Sequence, residues 1–311
     1  MSNFNNNLKI DIKELNEEEI MFDLFNVEPP MANALRRILI SEIPTMAIEY
    51  VRITQNTSII PDEVLSHRLG LIPIFADANE FNYKKGYSLF MLESEELNEF
   101  NSIKFKFSVR CFKKGEQIVN SEVLSKSIEW MPIENQKDKY RNNKICVVHD
   151  DILVAKLRPG QEIEAELIAV KGIGRTHAKW SPVCTAYYKL LPDIEIKEKI
   201  VGNDAIELKK VCPMNVFDIE EMSKELYVKN VRNCTTCREC IRHPKYKDSI
   251  VLGKMKDHYL CNYCLISVHV ESVGIYRPEV LVLRAIQILK EKCESLKNLV
   301  NDKVSSTNNN K

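Results

Sequence analysis

The sequence predicts an α+β protein. Strand-like and helix-like segments follow one another without the strand–helix alternation of a parallel α/β sheet, and the two strongest helical stripes lie near the two ends of the chain. With 311 residues the chain is long enough to bury a real core, as one large or two ordinary domains.

Leu8, Ile10 and Ile12 alternate with Lys9, Asp11 and Lys13, the period-two pattern of a half-buried strand. After the polar run 14–19 the alternation resumes at Ile20, Phe22 and Leu24, which predicts a hairpin. Pro29 and Pro30 suit the first turn of a helix, where a missing N–H costs nothing. From Met31 the period changes: Met31, Ala34, Leu35, Ile38 and Leu39 fall on one helical face, and Pro44 limits its extension. A strand over 46–53 and a short helix over 62–69, stopped by Gly70 and Pro73, follow.

Ile103, Phe105, Phe107 and Val109 alternate with polar residues, as do Ile163, Ala165, Leu167 and Ala169 after the turn Arg158-Pro159-Gly160. Segments 187–196 and 266–271 read as further strands. A last helix begins near Pro278 and carries Val282, Ala285, Leu289, Cys293, Leu296 and Val300 at spacings of three or four, before a polar tail, 305–311, expected to be disordered. Both terminal stripes need a covering surface. Periodicity alone assigns that cover to the chain's own sheet.

Lysine plus arginine equals aspartate plus glutamate at 44 each, so a protein gripping nucleic acid by itself is disfavoured. No run of 18 apolar residues is present, and Met1-Ser2-Asn3-Phe4-Asn5 has no signal pattern, so a cytosolic or nuclear protein without membrane attachment is expected. In such a compartment the ten cysteines are thiols or metal ligands. Cys111, Cys146, Cys184, Cys212 and Cys293 stand alone in sequence and are expected as small buried hydrophobes.

The other five allow two metal arrangements. Cys237-x-x-Cys240 and Cys261-x-x-Cys264 have the spacing of a four-thiolate zinc ribbon. Alternatively, Cys234, Cys237 and Cys240 resemble the first three ligands of an iron–sulfur motif, but Pro244 stands where the fourth cysteine would fall, which makes a complete cluster doubtful. A loop of five reduced thiols is the third reading.

Enzymatic motifs are missing. Gly172-Ile173-Gly174 lacks a third glycine and no phosphate-binding glycine–lysine loop occurs. His149-Asp150-Asp151 and His177 with Ser181 lack the nucleophile elbow of a hydrolase. No catalytic residue is assigned.

Several segments together resemble the alpha-like subunits of cellular RNA polymerases: Asn33-Ala34-Leu35-Arg36-Arg37-Ile38-Leu39 with Glu42-Ile43-Pro44, Asn56-Thr57-Ser58 leading to His67-Arg68-Leu69-Gly70-Leu71-Ile72-Pro73, His149-Asp150-Asp151 with Leu157-Arg158-Pro159-Gly160, and Lys171-Gly172-Ile173-Gly174 with His177-Ala178-Lys179-Trp180. They occur in the family's order between about residues 8 and 300. Trp130-Met131-Pro132-Ile133 and the run from Cys234 to Arg242 are similar to the larger alpha-like subunit shared by RNA polymerases I and III. The RNA polymerase II paralogue carries a four-cysteine knuckle soon after the Leu69–Pro73 stretch; here 74–110 contains no cysteine.

The resemblance implies a dimerisation domain split by a mainly β insert: 1–60, insert 61–183, then 184–304 with a cysteine-rich excursion at about 205–264. It implies a non-catalytic nuclear and nucleolar assembly subunit. Asn33, Leu35, Arg36, Arg37, Ile38 and Leu39 would meet a smaller alpha-like subunit together with Val282, Ala285, Leu289 and Cys293, and the pair would carry the two large catalytic subunits. DNA would be met only within the complex. The alternatives are the RNA polymerase II or archaeal paralogue, or a free zinc-dependent nucleic-acid-binding protein using Arg232, Arg238, Arg242 and Lys245 on phosphates.

Overall fold

A computed structural model describes residues 8–83, 97–141, 144–254 and 265–308. The class is α+β, as the sequence predicts. Two compact units are present: Met1–Glu14, Met21–Asn33 and Tyr187–His269 form one, and Leu15–Ile20, Ala34–Ala186 and Val270–Lys311 the other.

The second unit is built on a four-stranded antiparallel sheet. Its strands are β3 (Pro44–Asn56), β4 (Ser102–Arg110), β5 (Ile128–Met131) and β6 (Glu162–Ile173), in the order β3-β6-β4-β5. Leu167 of β6 lies opposite Val51 on one side and Phe105 on the other, so the register puts the apolar residues of three strands on one face. Ile103, Phe105, Phe107, Ile163, Ala165 and Leu167 are buried there, under Leu65 and Leu69 of α2 (Asp62–Gly70). Alternation marks these strands because one face is buried and Lys106, Ser108 and Arg110 face water.

On the opposite face Ala47, Ile168, Val170 and Trp180 form a smaller cluster. The glycines of Lys171-Gly172-Ile173-Gly174 serve close packing. A Cβ on Gly172 would stand 2.3 Å from the Trp180 indole, and one on Gly174 2.2 Å from the carbonyl oxygen of Ile40. Gly172 lies within β6, not in a turn.

A second four-stranded sheet has the order β1-β2-β12-β7, from β1 (Lys9–Leu15), β2 (Glu19–Phe25), β7 (Val183–Leu190) and β12 (Leu265–Ser272). The predicted hairpin is present, and Ile20, Phe22 and Leu24 are buried. Its first strand corrects the sequence reading: Leu8, Ile10 and Ile12 are 41%, 53% and 57% exposed. The strand lies at the sheet edge with its apolar face to solvent. The single strand expected over 187–196 is two: β7 ends at Leu190 and β8 (Pro192–Ile196) pairs elsewhere, because Pro192 has no N–H to continue the ladder.

In the excursion β8 pairs antiparallel with β11 (Ile250–Lys254), and β9 (Phe217–Ile219) forms a hairpin with β10 (Leu226–Val228). With α3 (Asn203–Val211) and the short α4 (Glu239–Arg242) they enclose Ala205, Leu208, Val216, Phe217, Leu226 and Tyr246. Arg232 joins this region to β2: its guanidinium grips the buried Asp23 carboxylate with both terminal nitrogens and reaches the Ser267 hydroxyl at 3.1 Å.

Candidate partner interface and cysteine cavity

α1 (Pro29–Ser41) starts on its two prolines, as expected. Leu35, Ile38 and Leu39 are buried within the chain itself, at 7%, 3% and 0% exposure. The central residues of the expected interface therefore belong to this chain's own interior, which corrects the assignment of the whole stripe to a partner. Asn33 and Arg36 are half-buried, and the exposed positions on α1 include Arg37 and Met31.

The last helix behaves differently. α5 (Pro278–Asn308) has 31 residues and spans about 46 Å. It runs four residues past the expected end at 304, since nothing from Ser305 to Asn308 is a proline or glycine to stop it; residues 309–311 lie outside the described residues.

Leu281 and Ala285 are fully buried, and Val282 and Leu289 half-buried. The helix root is held by Arg284, whose guanidinium bonds both Asp77 carboxylate oxygens at 3.1 and 2.9 Å and stacks 3.9 Å from the Tyr276 ring centre. Lys292 bridges to Glu42 at 2.7 Å. From Lys290 to Lys303 every residue is exposed, Cys293 included. Leu283, Ile286, Leu296, Leu299 and Val300 are between 47% and 65% exposed. An apolar stripe of this length in water demands a cover. Of the residues expected at the interface, Val282, Leu289 and Cys293 remain accessible, whereas Ala285 does not. Leu283, Ile286 and Leu299 were missed; of these Leu299, three residues beyond Leu296, follows directly from helical spacing.

The cysteines regroup. Cys111 alone of the five isolated ones is buried; Cys146, Cys184 and Cys293 are exposed and Cys212 is half-buried. Cys212 joins Cys234, Cys237 and Cys240 around one small cavity floored by Ile194, Val216 and Phe217. The loop bends there through Thr236 and Arg238, both at positive φ without being glycine, a conformation that costs on the order of 1 kcal/mol each. Burial, and then the neighbouring Cys234, Cys212 and Cys237, push the Cys240 thiol up.

A fourth thiol, Cys212, thus reaches the same cavity, and sequence spacing gives no sign of it. Four thiols suit a soft ion, zinc or an iron–sulfur cluster. As placed, no three His, Cys, Asp or Glu side chains among the described residues form a ready ligand set, so closure on an ion needs the sulfurs to move inward. Cys261 and Cys264, the second half of the zinc-ribbon reading, lie outside the described residues.

The basic residues of this region are engaged: Arg232 with Asp23, Arg242 with Glu239 at 2.8 Å, and Lys245 with Asp204. The Asp23 pair withdraws Arg232 from the phosphate contacts of the free nucleic-acid-binding reading, and Arg242 and Lys245 are partly neutralised by carboxylates at the surface. The residues that suggested a hydrolase are also occupied locally: His177 Nδ1 accepts the Lys179 N–H and Ser181 Oγ donates to the Val183 carbonyl.

Residues 51–184 match the RNA polymerase Rpb3/RpoA insert domain. The chain is 41% identical to the RNA polymerases I and III subunit RPAC1 of Mus musculus over 93% of its own length and 84% of that protein. The corresponding Dictyostelium discoideum subunit is 40% identical over 97% of this chain and 85% of its own. The RNA polymerase II subunit rpb3 of the same organism is 31% identical over 91% and 92%. The chain belongs to the alpha-like RNA polymerase subunit family. Within one organism the subunit of polymerases I and III is the nearer of the two, so the chain sides with that branch, as the cysteine-free stretch 74–110 implies. It is a subunit of a multisubunit DNA-directed RNA polymerase, structural rather than catalytic.

For this subunit the two ligand sets predict different metal analyses. With the cavity set, purified protein carries about one equivalent of zinc or one iron–sulfur cluster, lost on Cys212→Ser or Cys240→Ser and kept on Cys261→Ser. With the ribbon set, Cys261→Ser loses it and Cys212→Ser does not. Less than about a tenth of an equivalent in the unaltered protein sinks both.

Proposed function

We propose that the chain is the larger half of an alpha-like heterodimer common to RNA polymerases I and III, on which the two large catalytic subunits assemble, in the nucleus and nucleolus. The observation that carries this reading is α5, whose apolar stripe stays uncovered over its last exposed turns. A smaller alpha-like subunit with a matching stripe supplies the cover. Exposed Met31 and Arg37 of α1 add to the same reading, with the two helices presenting the contact and a dimerisation domain split by the insert presenting the helices. Arg37 would offer its guanidinium to a carboxylate or a phosphate across that contact.

Affinity purification of the tagged chain, with partners identified by mass spectrometry, tests it. The expected result is one small alpha-like subunit at equal stoichiometry and the largest subunits of both polymerases. Recovery of RNA polymerase II subunits alone overturns the reading.

A further inference from the structure

At the edge of the insert sheet, β3 passes so close to the end of α2 that a Cβ on Gly70 would sit 3.3 Å from the Ile48 carbonyl oxygen. Between that helix end and the turn 177–179 lies a groove of about 560 Å³, within the range of pockets that hold a ligand. Its floor is apolar, from Val51, Ile168, Leu97 and the body of Tyr50. Its rim is rich in donors. His177 Nδ1 accepts the Lys179 backbone N–H at 3.1 Å, which leaves Nε2–H as the donor, and the ring meets His67 edge-on with centroids 6.1 Å apart. Ser66 adds a hydroxyl, and Arg52 an exposed guanidinium whose carboxylate neighbour, Glu166, stands 3.8 Å away.

The one carboxylate among the lining residues, Glu49, is already taken by Lys179, which also donates to the Ile48 carbonyl at 2.9 Å. Donors are therefore in surplus over acceptors around an apolar floor. A ligand that complements this carries carboxylates on an apolar body.

We propose that the groove binds an acidic peptide segment, anchored by an apolar side chain, from another protein. A nucleic-acid backbone fits less well, because among the described lining residues Arg52, in a loose 3.8 Å pair with Glu166, is the cation least committed to a carboxylate, and phosphate recognition draws on several. Membership of the polymerase family enters only as the source of the partner.

The test places a photo-crosslinking amino acid at Leu71, half-exposed beside the groove, in the affinity-purified polymerase. The expected product joins Leu71 to one segment of another protein in which Asp and Glu outnumber Lys and Arg. The double variant Arg52→Glu/His67→Glu, at exposed positions that leave the fold intact, lowers its yield roughly tenfold while the large subunits are recovered as before. Cross-links to nucleic acid, to a basic segment or to none, or a yield that survives charge reversal, overturn the proposal. Recovery of the large subunits reports separately on assembly.

Discussion

Leu296→Glu with Leu299→Glu is expected to separate this chain from the smaller alpha-like subunit proposed as its partner while leaving the chain itself folded. Both leucines are more than half exposed, so neither change empties a core, and the new glutamates face Lys292 and Lys303 one turn away, the spacing that supports a helix. At an interface the same side chains bury carboxylates in an apolar seam. With about 2 kcal/mol lost at each position, affinity falls by roughly a thousandfold. Co-purification and a titration of the two subunits measure it; affinity within tenfold of the unaltered pair removes α5 from the interface. The contrast is Leu35→Glu with Ile38→Glu. These positions are buried, so the changes cost on the order of 5 kcal/mol of folding stability and lower the melting temperature of the chain before any partner is added. A free chain that keeps its melting temperature would return α1's centre to the interface.

The second large effect is expected at the pair between Asp23 and Arg232. Asp23 lies on β2 with 2% of its side chain exposed, and Arg232 lies in the short turn before the cysteine loop. Arg232→Met leaves a carboxylate buried without its partner and removes the donor to Ser267, so a loss of about 3–5 kcal/mol is expected in urea unfolding. Asp23→Asn with Arg232→Met restores part of it, because the uncompensated charge is gone. A single variant within about 1 kcal/mol of the unaltered chain would show the pair to be dispensable. The ring of thiols around Cys212 should loosen with the pair, since Lys189 also fastens to the Arg232 carbonyl.

What the sequence revealed follows from how each surface is covered. β4 and β6 were legible because one face of each is buried and the other wet, so that Phe105 or Leu167 stands in period two with Lys106 or Glu166. The stripe of α1 was equally legible as a stripe, but periodicity does not say what covers it: Leu35 and Leu39 are interior and Met31 is not. The same limit explains β1, where alternation is clear and the apolar side faces out. Pro192 could have warned of the break between β7 and β8. Cys212 could not be tied to Cys234, since the fold of the excursion, and not a short spacing, brings them to one cavity. The polymerase resemblance pointed to two helices as an interface, and the burial of individual side chains separates their exposed positions from their interior ones.

The root of α5 is clamped by Asp77 and Tyr276, whereas its exposed turns bury no side chain and meet the rest of the chain through surface contacts such as the pair of Lys292 with Glu42. With the interface proposed on α5, folding and assembly are written in different residues. A survey of variants scored by the yield or solubility of the single chain is nearly blind to the exposed apolar positions Leu296, Leu299 and Val300. Only a survey scored by recovery of the whole enzyme registers them, and a substitution there is carried silently until a partner arrives.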